Sequence, residues 1–257
     1  MPRRDDSAML QEQWLLQCII PSALERLQCQ LQNSLSILSK NNTKADSLPL
    51  SSAQNESLKG YITLQGAHIS KAELSVRLSN GSHQDMQLKA SITSAMPYFL
   101  EQIQQGANYL MLAAERMATV DQHDHALVTT VELLEDVCQY VDRAELAFEY
   151  PNETELFPYK VCHPKYFTPS LREDVVIEFC VQDVYIVCNT FALDFRNKFA
   201  ATNDTHTCVM YKDKNAWIMD QCRTQTQSPM LTELKACLRS IRAICQTYRQ
   251  MLLQVDG

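Results

Sequence analysis

Residues 59–78 read KGYITLQGAHISKAELSVRL. From Lys71 to Leu78 the alternation is strict. Ala72, Leu74, Val76 and Leu78 fall on one side, and Lys71, Glu73, Ser75 and Arg77 on the other. Period-two patterning of this kind predicts a half-buried antiparallel strand. Ile62 and Leu64 give the preceding segment the same character, and Met86, Leu88 and Ala90 the following one. Gly60 and Gly66 lie inside the stretch and Gly81 just beyond it, out of five glycines in the chain. Most of the remaining sequence reads as long, glycine-poor helix, so this concentration of turn chemistry marks the entry into a sheet.

The Asn80-Gly81 pair predicts a hairpin. A two-residue turn there would set Val76 opposite Asp85 and mix apolar with polar positions on each face. A three-residue loop of Ser79, Asn80 and Gly81 sets Leu74 opposite Met86 and Ala72 opposite Leu88. It is therefore preferred, with Gly81 in the left-handed position of a bulge.

Outward from this hairpin the pattern turns helical. Leu231, Leu234, Leu238, Ile241, Cys245, Tyr248 and Leu252 follow one another at spacings of three and four, the repeat of a coiled-coil seam. Ser228 before Pro229 supplies an N-cap and a first-turn proline. Met96, Phe99, Ile103, Gly106, Leu110, Ala113 and Met117 form a similar stripe. So do Leu127, Val131, Leu134, Cys138, Val141 and Phe148, interrupted by Glu145, and Leu24, Leu27, Leu31, Leu35 and Leu38. Pro21 is expected to kink or restart the first helix, because it removes a donor and clashes with the preceding turn. Four such stripes can bury one another in an antiparallel bundle. A homodimeric zipper through the last helix is the competing arrangement, less favoured because three partners are available within the chain.

Further strands are expected after the third helix. Val175, Ile177, Phe179 and Val181 alternate, Gln182-Asp183 can turn, and residues 184–193 run back. "CVMY" and "AWIM" flank Lys212 to Asn215 as another hairpin. The proline-bearing segment 150–170 is expected to cover part of this sheet or the junction. The fold expected is α+β, with a helical-bundle domain (7–40, 95–150, 228–254) and an antiparallel sheet domain made of two discontinuous segments (58–93, 155–222). Residues 41–57, rich in Asn, Ser and Gln, are expected to be a mobile polar linker.

Composition bounds the chemistry. A formal charge of −7 and a pI near 5.4 argue against nucleic acid as a principal ligand, which needs clustered Lys and Arg. No secretory leader or transmembrane span is read, so a cytoplasmic chain is expected. The ten cysteines include no C-x-x-C pair and read mostly as small buried hydrophobes. Asn-x-Ser/Thr triplets at Asn41, Asn55, Asn80, Asn152 and Asn203 read as polar loop composition rather than glycan acceptors. No phosphate-binding glycine loop, G-x-S-x-G elbow or H-E-x-x-H motif is present. Cys162-His163 and His206-x-Cys208 could supply two cysteines and two histidines, but neither pair has zinc-site spacing. His123 and His125, with Asp121 and Asp124, read as a solvated connection. No catalytic, cofactor or metal residue is assigned.

The opening stretch also carries a resemblance. G-x-[IL]-T-L-Q-G-x-x-[IL]-S-x-A-[DE]-L, with Gly60, Thr63, Leu64, Gln65, Gly66, Ser70, Ala72 and Leu74 at its fixed positions, resembles the signature of the Rogdi family. That family spans animal Rogdi proteins and the small subunit of the fungal RAVE complex. "FLEQIQQGANYLMLA", residues 99–113, is similar to the helix that follows the family's hairpin. "FTPSLREDVVIEFCVQDVYIVCNTFAL", residues 167–193, is similar to a later strand region, with Arg172-Glu173 in place of a proline-bearing sequence. The resemblance implies a non-enzymatic subunit that regulates assembly of the vacuolar-type proton-pumping ATPase, and so vacuolar acidification. Its partner would be a large WD-repeat scaffold of the rabconnectin-3 type, reached by a cytoplasmic protein recruited peripherally to endomembranes. A self-associating, leucine-zipper-like adaptor of vesicle trafficking is the alternative.

Overall fold

The computed structural model describes residues 4–51, 57–80, 84–119, 126–195 and 207–256. The order is α1 (Arg4–Trp14), α2 (Ile20–Thr43), β1 (Asp46–Ser51), β2 (Leu58–Gln65), β3 (His68–Asn80), β4 (Gln84–Ile92), β5 (Tyr98–Phe99), α3 (Glu101–Ala118), α4 (Leu127–Glu149), β6 (Val175–Gln182), β7 (Tyr185–Asp194), β8 (Cys208–Tyr211), β9 (Lys214–Gln227) and α5 (Pro229–Asp256). The fold is α+β. The chain divides into two units, one of residues 1–40, 104–147 and 232–257 and the other of residues 41–103 and 148–231.

The first unit is helical. A π-helical turn over Leu15–Ile19, closed by the Ile20 N–H on the Leu15 carbonyl, joins α1 to α2. Pro21 follows at once, so the irregularity falls in the turn that proline's missing N–H would have served. On α2, Ala23, Leu24, Leu27, Leu31 and Ile37 are buried. On α3, Leu110, Ala113 and Met117 are buried. Met96 and Phe99, expected to open that stripe, precede the helix and are 40% and 42% exposed. The proline at 97 and the short strand at 98–99 delay the helical start.

The α4 stripe keeps Leu134, Val141 and Phe148 of the expected seam and departs from it elsewhere. Leu133, Leu134, Val137, Val141 and Ala144 are buried, whereas Leu127, Val131 and Cys138 are only half-buried. Glu145 does not interrupt the face. It is itself buried and pairs with Arg242 of α5, which also bonds Asp142 at 2.7 Å. Arg249 to Glu135 (2.7 Å) and Arg116 to Asp136 (2.7 Å) join α5 and α3 to the same helix.

The second unit holds two antiparallel sheets. One runs β1-β2-β3-β4, with β5 pairing β3 beyond the end of β4, and the other runs β6-β7-β9-β8. The expected 41–57 linker contains structure: residues 41–43 finish α2, and Asp46–Ser51 pairs with β2 as β1. Its alternation, with Leu48 and Leu50 buried around Pro49, is short but sufficient. The β3–β4 register also departs from expectation. Leu74 faces Ala90, Val76 faces Leu88 and Leu78 faces Met86. The ladder extends to Asn80 and Gln84, and the bulge assigned to Gly81 lies outside the described residues. Face matching fixes register only in steps of two, so the correct parity admitted both pairings.

In the second sheet β6 and β7 meet through a turn at Asp183-Val184, one residue later than expected, with Asp183 at φ 59°. Lys212 and Asp213, at φ 52° and 59°, turn β8 into β9. Left-handed residues at both turn positions suit a two-residue hairpin, and here they are not glycines. β9 continues far past "AWIM" to Gln227, burying Cys222, Thr224 and Thr226 on one face. That face of the sheet also carries Ile177, Phe179, Val181, Ile186 and Cys188, all buried. The two sheets touch through β1, β2 and β3 on one side and β7 and β9 on the other.

Candidate functional site

The hairpin of β2 and β3 is where the signature residues fall. Gly60 is a close approach: a Cβ there would lie 2.0 Å from the Glu73 carbonyl oxygen. Leu64, Ala72 and Leu74 fill the buried face. Ser70 is the extra residue of a bulge between Thr63 and Leu64, and its hydroxyl donates to the Thr63 carbonyl at 3.3 Å. Because of that bulge, Ile69 reaches the buried face as Ala72 and Leu74 do.

Gly66 and Ala67 make the turn, with Gly66 at φ +58°. The Gly66 N–H donates to the Asn41 carbonyl at 3.3 Å, and its own carbonyl accepts from Asn41 Nδ2 at 3.4 Å. Gln65 Nε2 donates to the Asn42 carbonyl at 3.0 Å, and Leu100 N–H to the Ala67 carbonyl at 2.8 Å. The two glycines therefore act through backbone geometry, and the serine and glutamine by tying side chains to the backbone. The serine hydroxyl and the glutamine amide each donate to a neighbouring backbone carbonyl.

A second cluster lies where the segment between α4 and β6 crosses the second sheet. Phe157 stacks on Phe191 (4.5 Å between centroids) and meets Tyr211 edge-on (5.1 Å). Its N–H donates to Glu178 Oε2 at 2.8 Å, while Asn189 Nδ2 donates to Oε1 at 3.2 Å. Burial raises the Glu178 pKa above the usual carboxylate range, and these two donors act against the rise. The expectation that this segment covers sheet is met at this point. It also reaches the first sheet, where Thr168 and Ser91 exchange backbone bonds of 2.8 and 3.0 Å.

The outer edge of β6 is finished by side chains from elsewhere in the unit. Cys162 Sγ donates to the Ile177 carbonyl at 2.8 Å. The Phe179 N–H donates to the Tyr98 hydroxyl at 3.3 Å. Gln102 accepts from the Val181 N–H with Oε1 and donates to the Val181 carbonyl with Nε2, both at 2.7 Å. Gln102 thus imitates one residue of a neighbouring strand. Nothing in the sequence marks Tyr98, Gln102 or Glu178 for these duties.

Beside this edge lies a cavity of about 90 Å³ lined by Tyr98, Phe99, Cys162, His163, Tyr166 and Glu178. Cys162 and His163 do not form a nucleophile–base pair. The Cys162 thiol bonds a carbonyl and burial pushes its pKa up to about 12, opposite to the activation a nucleophile needs. His163 accepts the Lys165 N–H at 3.4 Å and meets Tyr166 edge-on. Among the described residues no three His, Cys, Asp or Glu side chains gather where they could hold a metal ion. His123, His125 and His206 lie outside the described residues.

On α5, Leu231, Leu234, Leu238, Ile241, Cys245 and Leu252 are each 2% exposed or less, and Tyr248 is half-buried. Cys237 and Ile244 widen the stripe beyond the expected seam. Ser228 Oγ accepts the Leu231 N–H at 3.3 Å, as an N-cap does. No helix among the described residues is long and apolar enough to cross a membrane.

Comparison with known proteins agrees with the hairpin's signature. A family model described as Rogdi leucine zipper containing protein matches residues 11–197. The chain is also similar to "Protein rogdi" of Drosophila melanogaster, at 28% identity over 142 residues. That alignment takes in 54% of this chain and 52% of the fly protein, so the chain spans about half the length of the curated relative it matches. With the family model covering most of its length, and the signature residues building the β2–β3 hairpin, the chain belongs to the Rogdi family.

Proposed function

We propose that this protein is a non-enzymatic subunit of a complex that regulates assembly of the vacuolar-type proton-pumping ATPase, and that it binds a large WD-repeat scaffold. Family membership carries the reading. The residues that distinguish the family here are used for a close approach, a turn and a bulge, which suits a protein whose product is a shaped surface. The protein acts in the cytoplasm and is brought to endomembranes by its partners. Affinity purification from cells expressing a tagged chain should recover a WD-repeat scaffold and, through it, sectors of the ATPase. Clean recovery of the chain without the scaffold would sink the proposal.

The helical unit is proposed to be an antiparallel bundle whose stripes, including Leu231 to Leu252, bury one another within a single chain. Their burial without any second copy supports this over the zipper adaptor. Light scattering at micromolar concentration should give a monomer, and an obligate dimer would favour the adaptor.

A further inference from the structure

The chain carries a formal charge of −7, yet the solvent face of its first sheet is cationic. Cross-strand register aligns Lys59, Ser75 and Lys89 in one row and Tyr61, Glu73 and Ser91 in the next. Lys71 and Arg77 lie on the same face of β3, two residues either side of Glu73 and Ser75, and all four cations are exposed. Among the described side chains of β2, β3 and β4, Glu73 is the one carboxylate on this face, and it takes a hydrogen bond from the Tyr61 hydroxyl.

The strand bordering this face is unfinished. Ser91 turns both its N–H and its C=O away from β3, to Thr168. In an antiparallel strand every second residue points the same way, so the backbone groups of Lys89 and Gln87 also point outward. Both residues are exposed, and among the described residues no backbone pairs with them on that side. Thr168 demonstrates that the edge accepts an antiparallel partner. Next to it a depression of about 420 Å³, bordered by Lys59, Tyr61, Ser75, Lys89 and Pro169, lies over the face.

We propose that the outer edge of β4, with the cationic face beside it, docks an extended acidic segment of a partner protein. That segment adds to the sheet as a further antiparallel strand. Its backbone bonds Gln87 and Lys89, and alternate carboxylates lie beside Lys89 and within reach of Arg77 on the next strand. Charge complementarity selects the acidic partner. The N–H and C=O groups that no described backbone pairs select a peptide over an anionic lipid surface, which could use the lysines alone. This names a surface for the partner reading above and rests on that reading only for which protein supplies the segment.

The test titrates the whole chain with acetyl-VEVEVTVEVE amide, its lysine-for-glutamate counterpart, and phosphatidylserine-containing vesicles, followed by amide NMR. The acidic peptide should shift the amides of Gln87 to Ser91, and binding should weaken as salt is added. Lys89→Pro removes an outward N–H and no β3–β4 bond, so it should weaken binding at least about tenfold with the fold's amide pattern kept. If that variant does not fold, Arg77→Glu with Lys89→Glu reads the same surface by charge reversal. No shift at β4 with millimolar acidic peptide, equal binding of the lysine peptide, or binding of vesicles but not peptide would each overturn the inference. Scaffold recovery undiminished by both variants would overturn it while leaving the proposed function standing. Absence of scaffold from the wild-type purification removes that function and leaves the titration to decide this surface.

Discussion

β6 and β4 are both outer strands of the sheet unit, and they are finished in different ways. On β6 three side chains from separate places, Cys162, Tyr98 and Gln102, satisfy alternate backbone groups along the strand. On β4, among the described residues, Thr168 alone pairs its backbone with the outer edge, at one end, and exposed Gln87 and Lys89 follow. An unpaired edge invites another chain. Covering one edge so thoroughly, with residues up to 81 positions away in sequence, makes the contrast with the other informative: β6 is closed for stability and β4 is left for use.

The interior sets the scale for testing that contrast. Leu238→Ala, at a site 1% exposed, should cost roughly 2–5 kcal/mol in chemical denaturation, independent of protein concentration. Effects at the β6 edge should fall below it. Gln102→Ala leaves the Val181 N–H and C=O without their partner and should cost about 1–3 kcal/mol. It should also promote self-association measurable by sedimentation. A variant as stable and monomeric as wild type would mean that water serves the edge equally well. Tyr98→Phe keeps the ring packed on Phe179 and loses only the hydroxyl, so about 0.5–1.5 kcal/mol is expected.

Glu178, behind the same strand, gives the contrast a pH signature. Its carboxyl pKa is raised in the folded state, so folding favours the protonated form. Its contribution is fully present below the unfolded carboxylate value of about 4 and is lost as pH rises through the elevated folded value. Glu178→Gln should therefore gain on wild type as pH rises across that window, measured by parallel denaturation curves. A constant difference between the two would show that the phenylalanine and asparagine donors cancel the burial. The smallest effect belongs to the open edge: Lys89→Glu should change stability by no more than about 0.5 kcal/mol. A larger loss would show that β4 is structurally engaged and not available.

Legibility from sequence followed the same division. Apolar periodicity announced β2, β3, β6, β7 and the α5 stripe, because transfer of Leu, Ile and Val side chains from water dominates those positions. It missed β1, where a proline and four serines or polar neighbours surround Leu48 and Leu50. It also missed the far half of β9, whose buried positions beyond Cys222 are Thr224 and Thr226. Threonine on an inner face looks like surface to a hydropathy reading. On α4 it found Leu134, Val141 and Phe148 but read Glu145 as a break in the seam, because the counter-charge that lets it be buried comes from Arg242 on another helix. The β6 edge was invisible, because a side chain bonding a distant backbone leaves no periodic trace. The signature hairpin could be recognised while its reasons could not: Gly60 and Gly66 are set by a neighbouring carbonyl and an asparagine that only the fold brings near.

The bulge at Ser70 bears on how this sequence can drift in length. Along most of β3, losing or gaining one residue would invert every side chain beyond it, exchanging core for solvent. At Ser70 the chain already holds one residue more than its neighbour. Removing it would draw the two strands into plain register while leaving Ala72, Leu74 and Val76 where they are. Deleting Ser70 should therefore leave the hairpin folded where deleting Glu73 would not, as slack is taken up at the loose link of a chain.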